Sequence, residues 1–261
     1  MGTLHVGLAS DYPPDRSTQQ RLSGVDVIVL EADLSQAERT LTAMQARALY
    51  GPDEPGLDTR IDAGLKADTR RVLDQVGIAA EPAWRMKPWM LALTLEILLA
   101  AKQGYSPAYA SETYLMSLAE SSGKPVAELE GVEAQFELLD TPPWPEQVDF
   151  LRRSVHSILD GQAEQELRTL LAAWRSSDEP AMQQYLQSVL NSPDPTERVQ
   201  FERLITRRNA VMAERIDRML SDGRFYLVAV GSLHYFGPDG LLAALRARGY
   251  AVTPVSAGRS P

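Results

Sequence analysis

Phe225-Tyr226-Leu227-Val228-Ala229-Val230 runs without a break into Gly231-Ser232-Leu233-His234. Six apolar residues, rich in β-branched and aromatic side chains and stopped by a glycine, read as a strand covered on both faces. After a short loop, Asp239-Gly240 opens a helical pattern. Its last turn holds Arg246 and Arg248, and it stops at Gly249, the cation and glycine placement expected at a helix C-terminus. Tyr250 to Val255 reads as a closing strand. Strand, loop, helix and strand in this order indicate an α/β fold, in which ligands bind outside the carboxyl ends of the strands.

Working outward, Val25 to Leu30 (VDVIVL) is a second buried strand, followed at once by Glu31. A helical pattern from Ser35 carries Leu41, Met44, Ala48 and Leu49 and stops at Gly51-Pro52. Further helices are expected over Thr59–Val76, through Trp89, Leu93, Ile97 and Ala100 to Gly104, and over Ser106–Ser122. The one through Trp89 is apolar on nearly every side and is expected to be buried. Residues 124–130 (KPVAELE) form a short strand, and helical pattern then dominates from Val132 to Ser221, broken at Thr141–Pro145 and Ser192–Pro195. The expected architecture is a single α/β domain over residues 1–261. A small central sheet of about four strands is surrounded by many helices, with a mostly helical middle from 35 to 222 interrupted by the strand near 125–130.

The chain has three histidines, His5, His156 and His234. Two of them close nearly identical tetrapeptides, Gly2-Thr3-Leu4-His5 and Gly231-Ser232-Leu233-His234. A histidine after a strand is commonly a hydrogen-bonded loop residue; the repeated G-[T/S]-L-H spelling points instead to two matched turns at one sheet edge. Gly231 is expected to allow a sharp turn and a close approach to a ligand, since it has no Cβ. If the first motif is the counterpart of the second, a strand should precede it, and an N-terminal strand, together with any leader, is expected to be missing ahead of Met1. His156, inside a helical segment, reads as structural.

Glu31 and Glu130 each end a strand, and Glu128 projects to the same side as Glu130. A carboxylate in such a place needs a cationic partner or a metal, because desolvating it alone is costly. Between Thr196 and Leu220 the apolar stripe Phe201, Leu204, Ile205, Met212, Ile216, Met219 is interrupted by Arg208 and Asn209. A buried Arg–Asn pair must be satisfied, and Glu31 or Glu130 are suitable partners. Two histidines and one or two carboxylates with water positions left open suit a catalytic divalent metal.

Composition narrows the classes. The chain has 261 residues, 44% hydrophobic and 23% charged, with a formal net charge of −9. It is therefore large enough for a substantial core, and its acidity disfavours a nucleic-acid partner. With no cysteine, disulfides, thiol nucleophiles and iron–sulfur sites are excluded. The longest apolar stretch, Met90–Ala101, is too short for a bilayer span of roughly 20 residues. No basic and apolar leader opens the chain as written, so a cytoplasmic location is expected, with export as the alternative if a leader is missing. G-x-S-x-G, P-loop and G-x-G-x-x-G patterns are absent from the sequence.

Six blocks, in order, resemble the TraB/GumN family, which is related to the TIKI metalloproteases and more distantly to ChaN-like and erythromycin-esterase-like proteins. They are GTLHVGLASDYP (2–13), VIVLEADL (27–34), MKPWMLALTL (86–95), GKPVAELEGVEAQFELLD (123–140), ITRRNAVMAERIDRML (205–220) and LVAVGSLHYFGPDGLLAALRARGYAVTPV (227–255). The resemblance implies a pair of GxxH motifs and a glutamate holding a divalent metal (manganese or cobalt in the TIKI enzymes) for hydrolysis of peptide bonds; zinc also suits such a ligand set. By position it points to His5, His234 and Glu31 as metal ligands and to Gly2 and Gly231 as turn residues. Glu130, Arg208 and Asn209 match further blocks; within a hydrolase, the chemistry of these side chains would suit Glu130 as general base and Arg208 as oxyanion donor. Residues Ala110–Tyr114 stand where relatives tend to have a Gly-hydrophobic-Asp run, so no role is carried over to Glu112 or Tyr114. The leading expectation is a metal-dependent hydrolase acting on a peptide or small molecule; the alternative is a non-catalytic binding or regulatory protein on the same fold.

Overall fold

The computed structural model describes residues 1–255. In chain order its elements are β1 (Gly2–Thr3), α1 (Arg16–Ser23), β2 (Val27–Leu30), α2 (Ala37–Arg47), α3 (Ala63–Val76), α4 (Ala80–Ala83), α5 (Pro88–Lys102) and α6 (Ser111–Ser122). There follow β3 (Val126–Glu128), α7 (Val132–Asp140), α8 (Trp144–Leu159), α9 (Gln162–Ser176), α10 (Glu179–Leu190), α11 (Pro195–Phe201), α12 (Arg207–Met219), β4 (Tyr226–Gly231) and α13 (Leu241–Ala247). The α/β reading with a small sheet and many helices holds. The backbone packs as two compact units, one built from Met1–Asp33, Pro107–Gly131 and the described residues from Leu170 on, the other from Leu34–Ser106 and Val132–Thr169.

The first unit carries the sheet, ordered β1-β4-β2-β3 with every pair parallel. All strands therefore end at the same edge, which brings Thr3, Leu30, Glu128 and Gly231 to one rim. Strand β2 lies inside, and its four residues are at most 4% exposed. Its alternating side chains divide two cores. Val27 and Val29 pack with Met212, Ala213, Ile216 and Leu241, while Ile28 and Leu30 pack with Leu22, Leu115 and Ala119.

One expectation about strands needs correction. Tyr250–Val255 forms no strand. Both flanks of β4 are already taken by β1 and β2, Pro254 has no N–H for a ladder, and Val255 is 61% exposed. The remaining strand is β1, whose two residues pair Gly2 with Val230 and Thr3 with Gly231. The first GxxH motif thus supplies strand residues of its own, Gly2 and Thr3.

The second unit is helical. Its core is built around Leu57, Leu65, Leu73, Leu91, Leu95, Leu151 and Val155, with α5 lying against α8 and α3. Asp62, whose carboxylate accepts from Leu65 N at 2.9 Å, caps α3 and sets its start later than expected. Helix α5 is less enclosed than its composition suggests, since Ile97 is 40% exposed. The His156 ring, on α8, lies 3.6 Å from Asp68 and is half exposed, consistent with a structural residue. The long helical stretch from Val132 breaks at two further points, Asp160-Gly161 and Ser177-Asp178.

Candidate functional site at the carboxyl edge of the sheet

The repeated tetrapeptides leave adjacent parallel strands. Their register is offset by one residue, because Thr3 rather than Gly2 lies opposite Gly231. At Gly2 a Cβ would sit 2.7 Å from Ser232 Oγ, and that hydroxyl is committed to Thr3 O at 3.0 Å. The glycine is required by this close approach. Gly231 does not make the sharp turn expected of it: its φ of −47° and ψ of 134° are open to other residues. Its contribution is an N–H donated to Glu31 Oε1 at 2.7 Å.

His234 is buried, its side chain only 2% exposed. Asn209 orients it. The Asn209 Nδ2 donates to Asp239 O at 2.8 Å, which turns Oδ1 toward His234 Nδ1 at 2.7 Å. Nδ1 must then carry the proton in the neutral ring, leaving a lone pair on Nε2. That Nε2 lies 3.8 Å from Glu31 Oε1, too far for a hydrogen bond. Burial, opposed by the negative charge of Glu31, lowers the His234 pKa to about 4. A histidine depressed in the fold contributes stability above pH 6.5 that is lost as pH falls toward 4. The loss expected from this ring is on the order of 3 kcal/mol. Melting curves of wild type and His234→Asn over that range check it: the wild type should fall more steeply, and parallel curves would refute the assignment.

Arg208 joins the two strand-end carboxylates. Its Nε donates to Glu130 at 2.9 and 3.1 Å, Nη2 donates to Glu130 Oε2 at 2.6 Å and also to Glu31 Oε2, and Nη1 donates to Leu204 O at 2.7 Å. All three side chains are 12–14% exposed. Burial alone would raise the Glu31 pKa; the charge of Arg208, the nearby histidines and the Gly231 N–H outweigh it and hold the carboxyl below its ordinary value. Glu128 is occupied elsewhere, its Oε1 accepting from Asp33 N at 2.7 Å.

The helix that brings Arg208 and Asn209 to the site is not continuous. A π-helical segment, Glu202–Thr206, separates α11 from α12. Such an insertion rotates the residues on one side of it relative to the other. Downstream, Asn209, Met212, Ala213 and Ile216 form the buried face.

His5 is the exposed member. Its side chain is 78% accessible, and its Nδ1 lies 3.1 Å from Glu112 Oε1. The hydrogen bond to Glu112 raises the His5 pKa above the usual histidine value. His5 also lies close enough to Glu31, Arg208 and His234 for their charges to act on one another.

The structure thus brings His5, Glu31, Glu130, Arg208, Asn209 and His234 to one rim. Among the described residues, no three of the His, Asp and Glu side chains close around a single ion position. Sequence reasoning assigned no role to Glu112. As an acid in the first turn of a helix it looks like a favourable partner for the helix dipole, and only the tertiary contact reveals its tie to His5.

Among the described residues, no helix is long and apolar enough to cross a membrane. No solved structure matches the chain. It is similar to the uncharacterized protein YbaP of Escherichia coli (strain K12), 24% identical over 255 residues that cover 94% of this chain and 86% of the relative. The uncharacterized YbaP of Shigella flexneri matches to the same extent. The TraB/PrgY/gumN family matches residues 1–254, both GxxH motifs and the Arg208–Asn209 helix included. The chain therefore belongs to the TraB/PrgY/gumN family.

Proposed function

We propose that this chain is a divalent-cation-dependent hydrolase, with peptides as its substrate class and His5, His234 and Glu31 as the ion's ligands. The observation that carries the reading is the pair formed by His234 Nε2 and Glu31 Oε1. A neutral imidazole nitrogen and an ionised carboxylate oxygen lie 3.8 Å apart, and Asn209 holds the imidazole so that its lone-pair nitrogen faces the carboxylate. This is the donor chemistry of manganese, cobalt or zinc, and the exposed His5 ring can be recruited without disturbing the core. A bound divalent ion supplies Lewis acidity toward a scissile carbonyl and acidifies water near neutral pH.

The chain's own residues prepare that chemistry. Asn209 fixes the His234 tautomer, and burial keeps the ring unprotonated. Arg208 offsets the charge of Glu31 and Glu130 and holds them at the rim. For Glu130 to serve as general base, or Arg208 as oxyanion donor, the two would first have to separate, since Glu130 and Arg208 are bonded through both carboxylate oxygens.

A second reading, non-catalytic binding of a peptide or small molecule at the same rim, is favoured by that closed ion pair, which neutralises the carboxylates with no further cation. Calorimetric titration of the full chain with Mn²⁺, Co²⁺ and Zn²⁺, paired with cleavage of a peptide library, separates the two. One ion per chain, lost in His234→Ala, with ion-dependent cleavage supports the hydrolase. An ion bound without cleavage favours the binding protein, and no bound ion refutes the metal reading.

A further inference from the structure

We propose that Glu112 is the positioning residue for His5, locking the ring as its Nδ1–H tautomer so that Nε2 presents a lone pair to the rim. The inference deepens the hydrolase reading and rests on it for its functional meaning, while its structural content stands on the contacts themselves.

An imidazole that is 78% exposed has little packing to fix its rotamer, and its tautomer is set by whatever its nitrogens bond. Glu112, whose side chain is only 16% exposed, supplies that bond at 3.1 Å from Nδ1. The backbones behind the two side chains are clamped as well. Leu4 N donates to Ser111 Oγ at 3.2 Å, and Ser111 N donates to Leu4 O at 3.1 Å. Residues 4 and 111 immediately precede His5 and Glu112, so both side chains start from fixed positions.

The arrangement repeats at the second motif with different chemistry. His234 is held through Nδ1 by the Asn209 amide, and His5 through Nδ1 by a carboxylate. In both cases Nε2 is left to act. An anionic acceptor on Nδ1–H also makes Nε2 a better donor, which is the usual effect of a carboxylate behind a ligating histidine.

The test uses the full chain labelled with ¹⁵N, in which three histidines give three resolvable rings. Long-range ¹H–¹⁵N spectra at alkaline pH, where the rings are neutral, report each tautomer; single His→Ala variants assign them. Wild-type His5 should show protonated Nδ1 and bare Nε2. In Glu112→Leu, His5 should shift to the Nε2–H form while His156 and His234 stay unchanged, and Mn²⁺ affinity should fall by about 10–100-fold. If the leucine variant does not fold, Glu112→Ala is read in the same way. An unchanged His5 tautomer overturns the proposal, as does a tautomer shift with unaltered Mn²⁺ affinity. If the wild type binds no Mn²⁺ at all, the metal reading fails while the tautomer measurement still decides whether Glu112 positions His5.

Discussion

Replacing Arg208 by methionine should cost about 3–5 kcal/mol of folding stability at neutral pH, the range seen when one partner of a buried ion pair is removed. Two carboxylates, Glu31 and Glu130, lose their shared cation at positions 12–14% exposed. Urea denaturation measures the effect, and the melting temperature should fall by roughly 10 °C. The dependence on pH gives the mechanism. In the wild type Glu31 is held below the ordinary carboxylate value, so its contribution is present above that value and is lost as pH falls through the folded pKa. Without Arg208 the desolvation of Glu31 loses its main counterweight, the carboxyl moves upward, and the variant gains relative to wild type on acidification. The gap between the two proteins should therefore narrow toward acid. Arg208→Met with Glu130→Gln should recover part of the loss. A cost below about 1 kcal/mol at neutral pH would show that the carboxylates are satisfied without the guanidinium.

Asn209→Leu is expected to cost about 2–4 kcal/mol, because it strands two buried partners at once, His234 Nδ1 and Asp239 O. Asn209 is itself 3% exposed, so solvent cannot easily replace the lost bonds. Asn209→Asp separates the two functions of the amide. It keeps an acceptor for His234 and loses the donor to Asp239, so it should destabilise less at neutral pH. Its charge should also lift the His234 pKa from about 4. Denaturation and an NMR titration of His234 check both outcomes. A leucine variant as stable as wild type, or an aspartate variant with His234 still titrating near 4, would rule out the bridge.

What the sequence allowed to be read depended on how local each signal was. Val27–Leu30 and Tyr226–Gly231 were legible because a run of β-branched residues has few alternatives to a doubly covered strand. Arg208 and Asn209 were legible as polar interruptions of a helical stripe, and their pairing with strand-end groups followed from the cost of leaving them unsatisfied. Strand β1 was not, since two residues carry no periodicity. Tyr250–Val255 was misread because its apolar alternation resembles an edge strand, while the ladder positions beside β4 are filled from elsewhere. The π segment Glu202–Thr206 has no spelling of its own, and the His5–Glu112 contact joins residues 107 positions apart through a fold whose register no local pattern specifies.

The one-residue slip between β1 and β4 has an effect that the matching spelling of the two motifs conceals. Side chains on neighbouring strands share a face only when they are in register, so the counterpart glycines lie on opposite faces and the two imidazoles emerge into unlike surroundings. One ring is wet and tethered by an anion, and the other is dry and tethered by an amide. On the proposed reading, a cation taken up at this rim would strip water from the exposed His5 ring alone, the His234 half being buried and aligned beforehand.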